Sequence, residues 1–120
     1  MEHHYNIAIY VAEKFGQSGC AIEIEYHNHR QTQIHRIKCG FGSDDMQTAV
    51  NKSMLLALTT CKFYDSVMDV KINHNLSNEN DQLNDILTRI KKILIHDNHD
   101  TQLLEQEALT IVGQEVFNTY

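Results

Sequence analysis

The stretch from Ser43 to Lys62 constrains the fold more than any other part of the chain. It opens with Ser43, Asp44 and Asp45, an N-cap and first-turn acids that suit the positive end of a helix. Met46, Ala49, Val50, Met54, Ala57, Leu58 and Cys61 then recur at helical spacing, and Leu55 and Leu56 widen the apolar surface beyond a single stripe. Such a helix needs cover from more than one direction, and the rest of the chain has to supply it.

Three strands are predicted before it. Ile7 to Ala12 is a continuous apolar run, which at this length reads as a strand covered on both faces. Glu13 to Gly19 holds two glycines and reads as a turn. Ala21 to His27 alternates Ile22, Ile24 and Tyr26 against Glu23, Glu25 and His27, the pattern of a half-exposed antiparallel strand. Gln31 to Cys39 continues as a third strand whose apolar phase slips between Ile34 and Ile37, which a bulge would explain. Beyond the helix, Met68, Val70 and Ile72 alternate as a fourth strand that can join in parallel through a crossover. Leu83, Ile86, Leu87, Ile90, Ile93 and Leu94 then form an amphipathic helical stripe with Glu79 and Asp81 at its start and Arg89, Lys91 and Lys92 near its end. Asp100 or Thr101 is expected to cap a last helix that packs through Leu104, Ala108, Ile111, Val112 and Val116.

With 120 residues, 42% apolar and 22% charged, the chain suits one globular domain with one core. Its formal charge of −6 is concentrated late: eight acids face seven bases up to residue 72, and eight face three thereafter. That balance disfavours broad phosphate-backbone binding. Three widely spaced cysteines, Cys20, Cys39 and Cys61, form no CxxC pair or disulfide framework and point to a reducing cytosol. They are expected to be small buried thiols. The N-terminus lacks the pattern of a leader, and no segment reaches membrane-spanning length, so a soluble cytoplasmic protein is expected.

The order β, β, β, α, β, α, α describes an α+β domain: a three-strand antiparallel meander, a long helix, a fourth strand joining in parallel by a crossover, and two C-terminal helices. This order resembles the ribonuclease H-like fold. The resemblance lies in Ile9-Tyr10 at the end of strand one with a glycine-bearing hairpin after it, in Ala57-Leu58 of the long helix, and in Val70 to Asn75. Asn80 to Leu94 also looks like the helix that follows strand four in retroviral-type ribonuclease H domains, while His96 to Thr101 leaves little room for the family's usual fifth strand. Nucleases of that family need converging carboxylates to hold two divalent cations at a phosphodiester. By the resemblance those positions fall on Ala12 with Glu13 beside it, on Val50, on His74-Asn75, and nearest Glu105 or Glu107 in the final helix. With the first three not matched, the resemblance implies a degenerate, non-catalytic module without a cofactor. Such a module would be a small accessory or inhibitory protein, as a virus or mobile element could carry, working through protein contacts. The alternative is a divergent nuclease using Glu13, Asp69 and Glu107 with Mg²⁺ or Mn²⁺.

Other candidate sites are local. His27 and His29, two apart near a turn, and His96 and His99 in a later connection are metal-ligand types without a long-range partner, and a polar turn and a solvated interhelical loop are the preferred account of them. Arg30, Arg36 and Lys38 gather on strand three, where they could meet phosphates or simply line a solvated face. Glu105, Glu107 and Glu115, with Asp97 and Asp100, could present an acidic surface to a basic protein, or an ordinary outer helix face. Gly16-Gln17-Ser18-Gly19 lacks the lysine of a phosphate loop and reads as a hairpin turn. The open edge of the meander could pair with a second copy.

Overall fold

A computed structural model of the chain describes residues 2–77, 80–97, 99–114 and 117–119. Strands β1 (His3–Lys14), β2 (Gln17–His27) and β3 (Thr32–Gly40) form the expected antiparallel meander. The first hairpin closes on Phe15 and Gly16 alone, both at positive φ (56° and 74°), the two-residue turn whose twist matches that of the flanking strands. The predicted turn is therefore shortened at both ends: Glu13 and Gln17 to Gly19 belong to the strands. Helix α1 (Met46–Thr60) leads to β4 (Ser66–Ile72), which joins β1 in parallel, with Ile9 opposite Ile72. Helix α2 (Asp81–Arg89) leads to β5 (Lys92–Asp97), parallel to β4. A 3-10 helix (His99–Leu104) runs into α3 (Glu105–Ile111), and β6 (Phe117–Thr119) pairs antiparallel with β3. The sheet order is β5-β4-β1-β2-β3-β6.

The two crossovers step the same way across the sheet, which puts α1 and α2 on one face under the right-handed rule. The main core lies there: Tyr5, Ile7, Ile9 and Val11 of β1, Ile22 and Ile24 of β2, and Met68, Val70 and Ile72 of β4 pack with Val50, Met54 and Leu58 of α1 and Leu83 of α2. The opposite face carries a smaller cluster in which Ala12 and Ala21 meet Leu104 and Ala108. Small strand residues let the short α3 lie close to the sheet, and only one end of that face is covered.

Four expectations are corrected. The cap of α1 is Asp45, whose Oδ1 accepts from Thr48 N at 2.8 Å; Ser43 lies outside the helix. That hydrogen bond also holds the Asp45 carboxyl below its ordinary pKa. The stripe read as helix to Leu94 ends at Arg89. Ile90 is already extended, Lys91 N donates to Tyr64 O at 2.9 Å, and the following residues pair with β4 as the fifth strand that seemed to lack room. Ile93 and Leu94 fit the helical phase by coincidence of spacing. The phase slip in β3 is not a bulge, because its pairing with β2 is continuous from Gly19↔Gly40 to His27↔Thr32. Ile34 faces away from Ile37 onto the uncovered part of the sheet and is 51% exposed. The last helix is not capped by Asp100 or Thr101: Thr101 is buried, α3 starts after Leu104, and Gly113 at φ +83° turns the chain toward β6. Val116, Glu79 and Glu115 lie outside the described residues. No helix among the described residues is long and apolar enough to cross a membrane.

Candidate functional site

The C-terminal ends of β1 and β4 lie side by side, and it is here that the resemblance puts two of the nuclease carboxylates. The structure places apolar and amide groups there instead. Ala12 is buried against Leu104 and Ala108, Val50 is 1% exposed within the main core, and His74 and Asn75 sit in the loop after β4. Asn73 fills the remaining space: its Oδ1 accepts from Val11 N at 2.8 Å and its Nδ2 donates to Val11 O at 3.0 Å. One side chain thus continues the β1–β4 ladder by one rung and occupies both backbone groups at the strand end.

The alternative trio does not assemble. Asp69 lies opposite Asn6 on the face that α3 covers in part. Glu13 is seven residues further along β1, roughly 23 Å away at about 3.3 Å per residue, and strand alternation sends it to the other face. Glu107 is drawn to β3, where Lys38 Nζ lies 3.2 Å from its Oε2.

The basic group on strand three is largely paired. Arg36 Nε donates to Glu23 Oε2 at 3.0 Å across the β2–β3 ladder, and Lys38 also reaches Thr110 Oγ1 at 3.3 Å. Arg30 sits in the exposed turn, where its backbone N–H is held by Asn28 Oδ1. Three histidines, His4, His27 and His96, share the face of the sheet that carries Asp69. His27 contacts Glu25 Oε1 at 2.6 Å and Thr32 Oγ1 at 3.0 Å, while His29 is in the exposed turn. Asp69 lies between two histidines that sequence distance separates, His4 at 3.2 Å and His96 at 3.9 Å. His99 belongs to the 3-10 helix and His27 to β2. Among the described residues, no three His, Cys, Asp or Glu side chains come together so as to hold a metal ion. Glu105 and Glu107 open α3, and Glu105 adds to burial in raising the Tyr10 pKa. Leu103, just before them, is 93% exposed. Cys20 and Cys61 are buried and Cys39 half-buried; burial raises the first two thiol pKa values to about 12.

A cavity of about 340 Å³ lies at the other end of the sheet from these strand ends, on the α1 face. Its floor is Tyr5, Ile24 and Tyr26, and its walls are the end of α1 with Lys62 and Phe63 on one side and Gln33 and His35 of β3 on the other. A triangular aromatic cluster organises it: the His3 and Phe63 rings stack at 3.9 Å and 5°, and Tyr26 lies 5.7 Å from His3 and 5.6 Å from Phe63. The Tyr26 hydroxyl contacts His3 Nδ1 and accepts from Asn28 Nδ2 at 3.1 Å. Tyr5 Oη accepts from both Lys62 N and Phe63 N, at 3.0 and 3.1 Å, and fixes the chain as it leaves α1. Burial is the main reason that the Tyr5 phenol is held neutral above its ordinary range. Sequence reasoning assigned Tyr26 to a packing face and passed over His3 and Phe63. The available signal was the aromatic spacing Tyr5, Tyr26 and Phe63, which becomes a site only when β1, β2 and the end of α1 meet.

The architecture is the ribonuclease H-like fold. No protein-family model matches the chain, and no curated protein matches its sequence. Solved structures do. RNase H1 from the halophilic archaeon Halobacterium salinarum superposes with a TM-score of 0.63 at 12% identity over 92% of this chain and 96% of that one. The N-terminal RNase H domain of a Mycobacterium tuberculosis protein, solved as a fusion with maltose-binding protein, gives 0.69 at 10% identity over 90% and 92%. LC9-RNase H1, a type 1 RNase H with the type 2 active-site motif, gives 0.66 at 8% identity over 98% of this chain and 76% of that one. At these identities the likeness is one of fold.

Proposed function

We propose that the chain is a non-catalytic binding module on a ribonuclease H-like scaffold, acting through protein contacts as a small accessory or inhibitory protein. The observation that carries this reading is the Asn73–Val11 clamp at the joined ends of β1 and β4. Of the places that the resemblance gives to metal-binding carboxylates, Ala12 and Val50 offer a methyl and an isopropyl, and the strand-four place holds His74 and Asn75, next to the Asn73 amide that is committed to the backbone. Two-metal phosphodiester chemistry needs several carboxylate oxygens converging at that point. The partner-facing surface is the 3-10 helix and α3, where exposed Leu103 stands beside Glu105 and Glu107. An apolar anchor rimmed by acids suits a basic protein surface.

Two measurements test it. Purified chain incubated with an RNA–DNA hybrid and Mg²⁺ or Mn²⁺ is expected to leave the hybrid intact; cleavage that Glu13→Gln abolishes would establish the nuclease alternative instead. In affinity capture, a protein retained by the chain and lost from Leu103→Ser with Glu105→Lys supports the surface. Retention that is indifferent to both changes removes it.

A further inference from the structure

Beyond that partner reading, the aromatic cavity at the N-terminal end of β1 has features that packing alone does not call for. We propose that it is a binding site for a planar heteroaromatic ring carrying an anionic group, the chemistry of a nucleoside monophosphate.

Three independent observations lead there. The first is shape and surface. About 340 Å³ lies within the range of small-molecule sites, and its aromatic cluster presents flat rings at shallow angles: His3 and Phe63 stack at 5°, and Tyr26 is inclined at 26° to His3 and 29° to Phe63. A flat aromatic guest suits such a cluster, since ring faces stack on one another with little regard to substituents. The second is unused hydrogen-bonding capacity. Asn28 is committed, its Oδ1 to Arg30 N and Gln31 N and its Nδ2 to Tyr26. Gln31, Gln33 and His35 line the cavity from exposed positions, where their polar groups face water that a ligand can replace, and each amide offers donors and an acceptor together. A heteroaromatic edge presents that same mixture of donors and acceptors, whereas a hydrocarbon ring does not. Tyr5 adds to this, because its oxygen already accepts two backbone N–H groups and its proton is the hydrogen-bonding capacity left over.

The third observation is charge. In a chain of formal charge −6, the cavity is lined by one ammonium, Lys62, and by no carboxylate. Lys62 is exposed and stands over the Phe63 ring at 5.8 Å, so its long side chain can swing toward a phosphate while the base meets the ring. The free nucleotide and the terminal nucleotide of a single strand share this chemistry.

The test titrates the full chain, labelled with ¹⁵N, with adenosine 5′-monophosphate, adenosine, inorganic phosphate and a 5′-phosphorylated oligoadenylate. The expected result is saturable shifts of the Phe63 amide and the Tyr26 ring signals with the monophosphate. Phe63→Ala should weaken binding by about tenfold, in keeping with loss of one stacked base. Because Phe63 supports the end of α1, the exposed-residue variants Lys62→Glu and Gln33→Ala carry the decision. Lys62→Glu should weaken the monophosphate several-fold and leave adenosine unchanged, and Gln33→Ala should weaken both. Tighter binding of the oligoadenylate than of the monophosphate assigns a strand end; equal or weaker binding assigns a free nucleotide. No saturable shift at millimolar monophosphate, shifts confined to other surfaces, or indifference to both variants would overturn the proposal. None of these readouts depends on hybrid cleavage or on a protein partner.

Discussion

The Asn73 side chain grips Val11 by both backbone groups, accepting its N–H at 2.8 Å and donating to its C=O at 3.0 Å. Removal of the amide leaves two polar groups of a residue that is 1% exposed without a partner. Asn73→Ala is expected to lower unfolding stability by about 1–3 kcal/mol. Asn73→Asp should cost at least as much, because a carboxylate would then face the Val11 carbonyl. Urea unfolding of the two variants checks the order; an Asp variant as stable as the parent would mean that the clamp contributes nothing.

Gly40 is the point at which α3 closes on the sheet. A Cβ there would stand 2.1 Å from Gln114 O and 2.6 Å from Ile111 O, both backbone atoms with little room to retreat. Gly40→Ala should therefore destabilise by about 1–3 kcal/mol, as overpacking does. Hydrogen exchange locates the effect: protection should fall first at Gly42 N, which donates to Gln114 O, and at Gly113 N, which donates to Ser18 O.

Cys20 and Cys61 have pKa values raised by burial from 9.0 to about 12. The unfolded chain releases these protons near pH 9 while the folded chain keeps them, so the unfolded state binds fewer protons across that interval and stability falls with rising pH. The contribution is whole below about pH 9 and is lost progressively up to about pH 12. Denaturation midpoints measured with reductant should decline through this window, and Cys61→Ala should flatten the decline. A slope unchanged by that substitution would place its origin elsewhere.

Arg36 and Glu23 form a cross-strand pair whose side chains are 47% and 33% exposed. Pairs this open contribute little, so Arg36→Ala should change stability by less than about 1 kcal/mol. If strand three binds nucleic acid, the same variant should lower affinity and reduce its salt dependence. A shallow salt response in the parent protein argues against phosphate contacts on this strand.

Much of the architecture is written in local pattern. The alternation of Ile22, Ile24 and Tyr26 and the run Ile7 to Ala12 are periodicities of one element, and each became the strand it suggested. The stripe of α1 was equally legible, down to Met54 and Leu58 at full burial. Ile93 and Leu94 were misleading because a helical stripe and a short strand overlap in spacing over so few residues. Only the ladder with β4 distinguishes them.

Sequence alone determined the meander, the long helix, the parallel fourth strand and the substitutions at Ala12 and Val50, since those follow from which residue stands where. Tertiary structure decided the fifth and sixth strands, the Asn73 clamp on Val11 across 62 positions, and the convergence of His3, Tyr5, Tyr26 and Phe63 on one cavity. The physical reason is range. Helical and strand periodicity is recorded among neighbours, whereas a hydrogen bond from a loop to a distant strand, or a cavity between a helix end and a sheet, exists only after the chain has brought remote segments to within a few ångströms of one another.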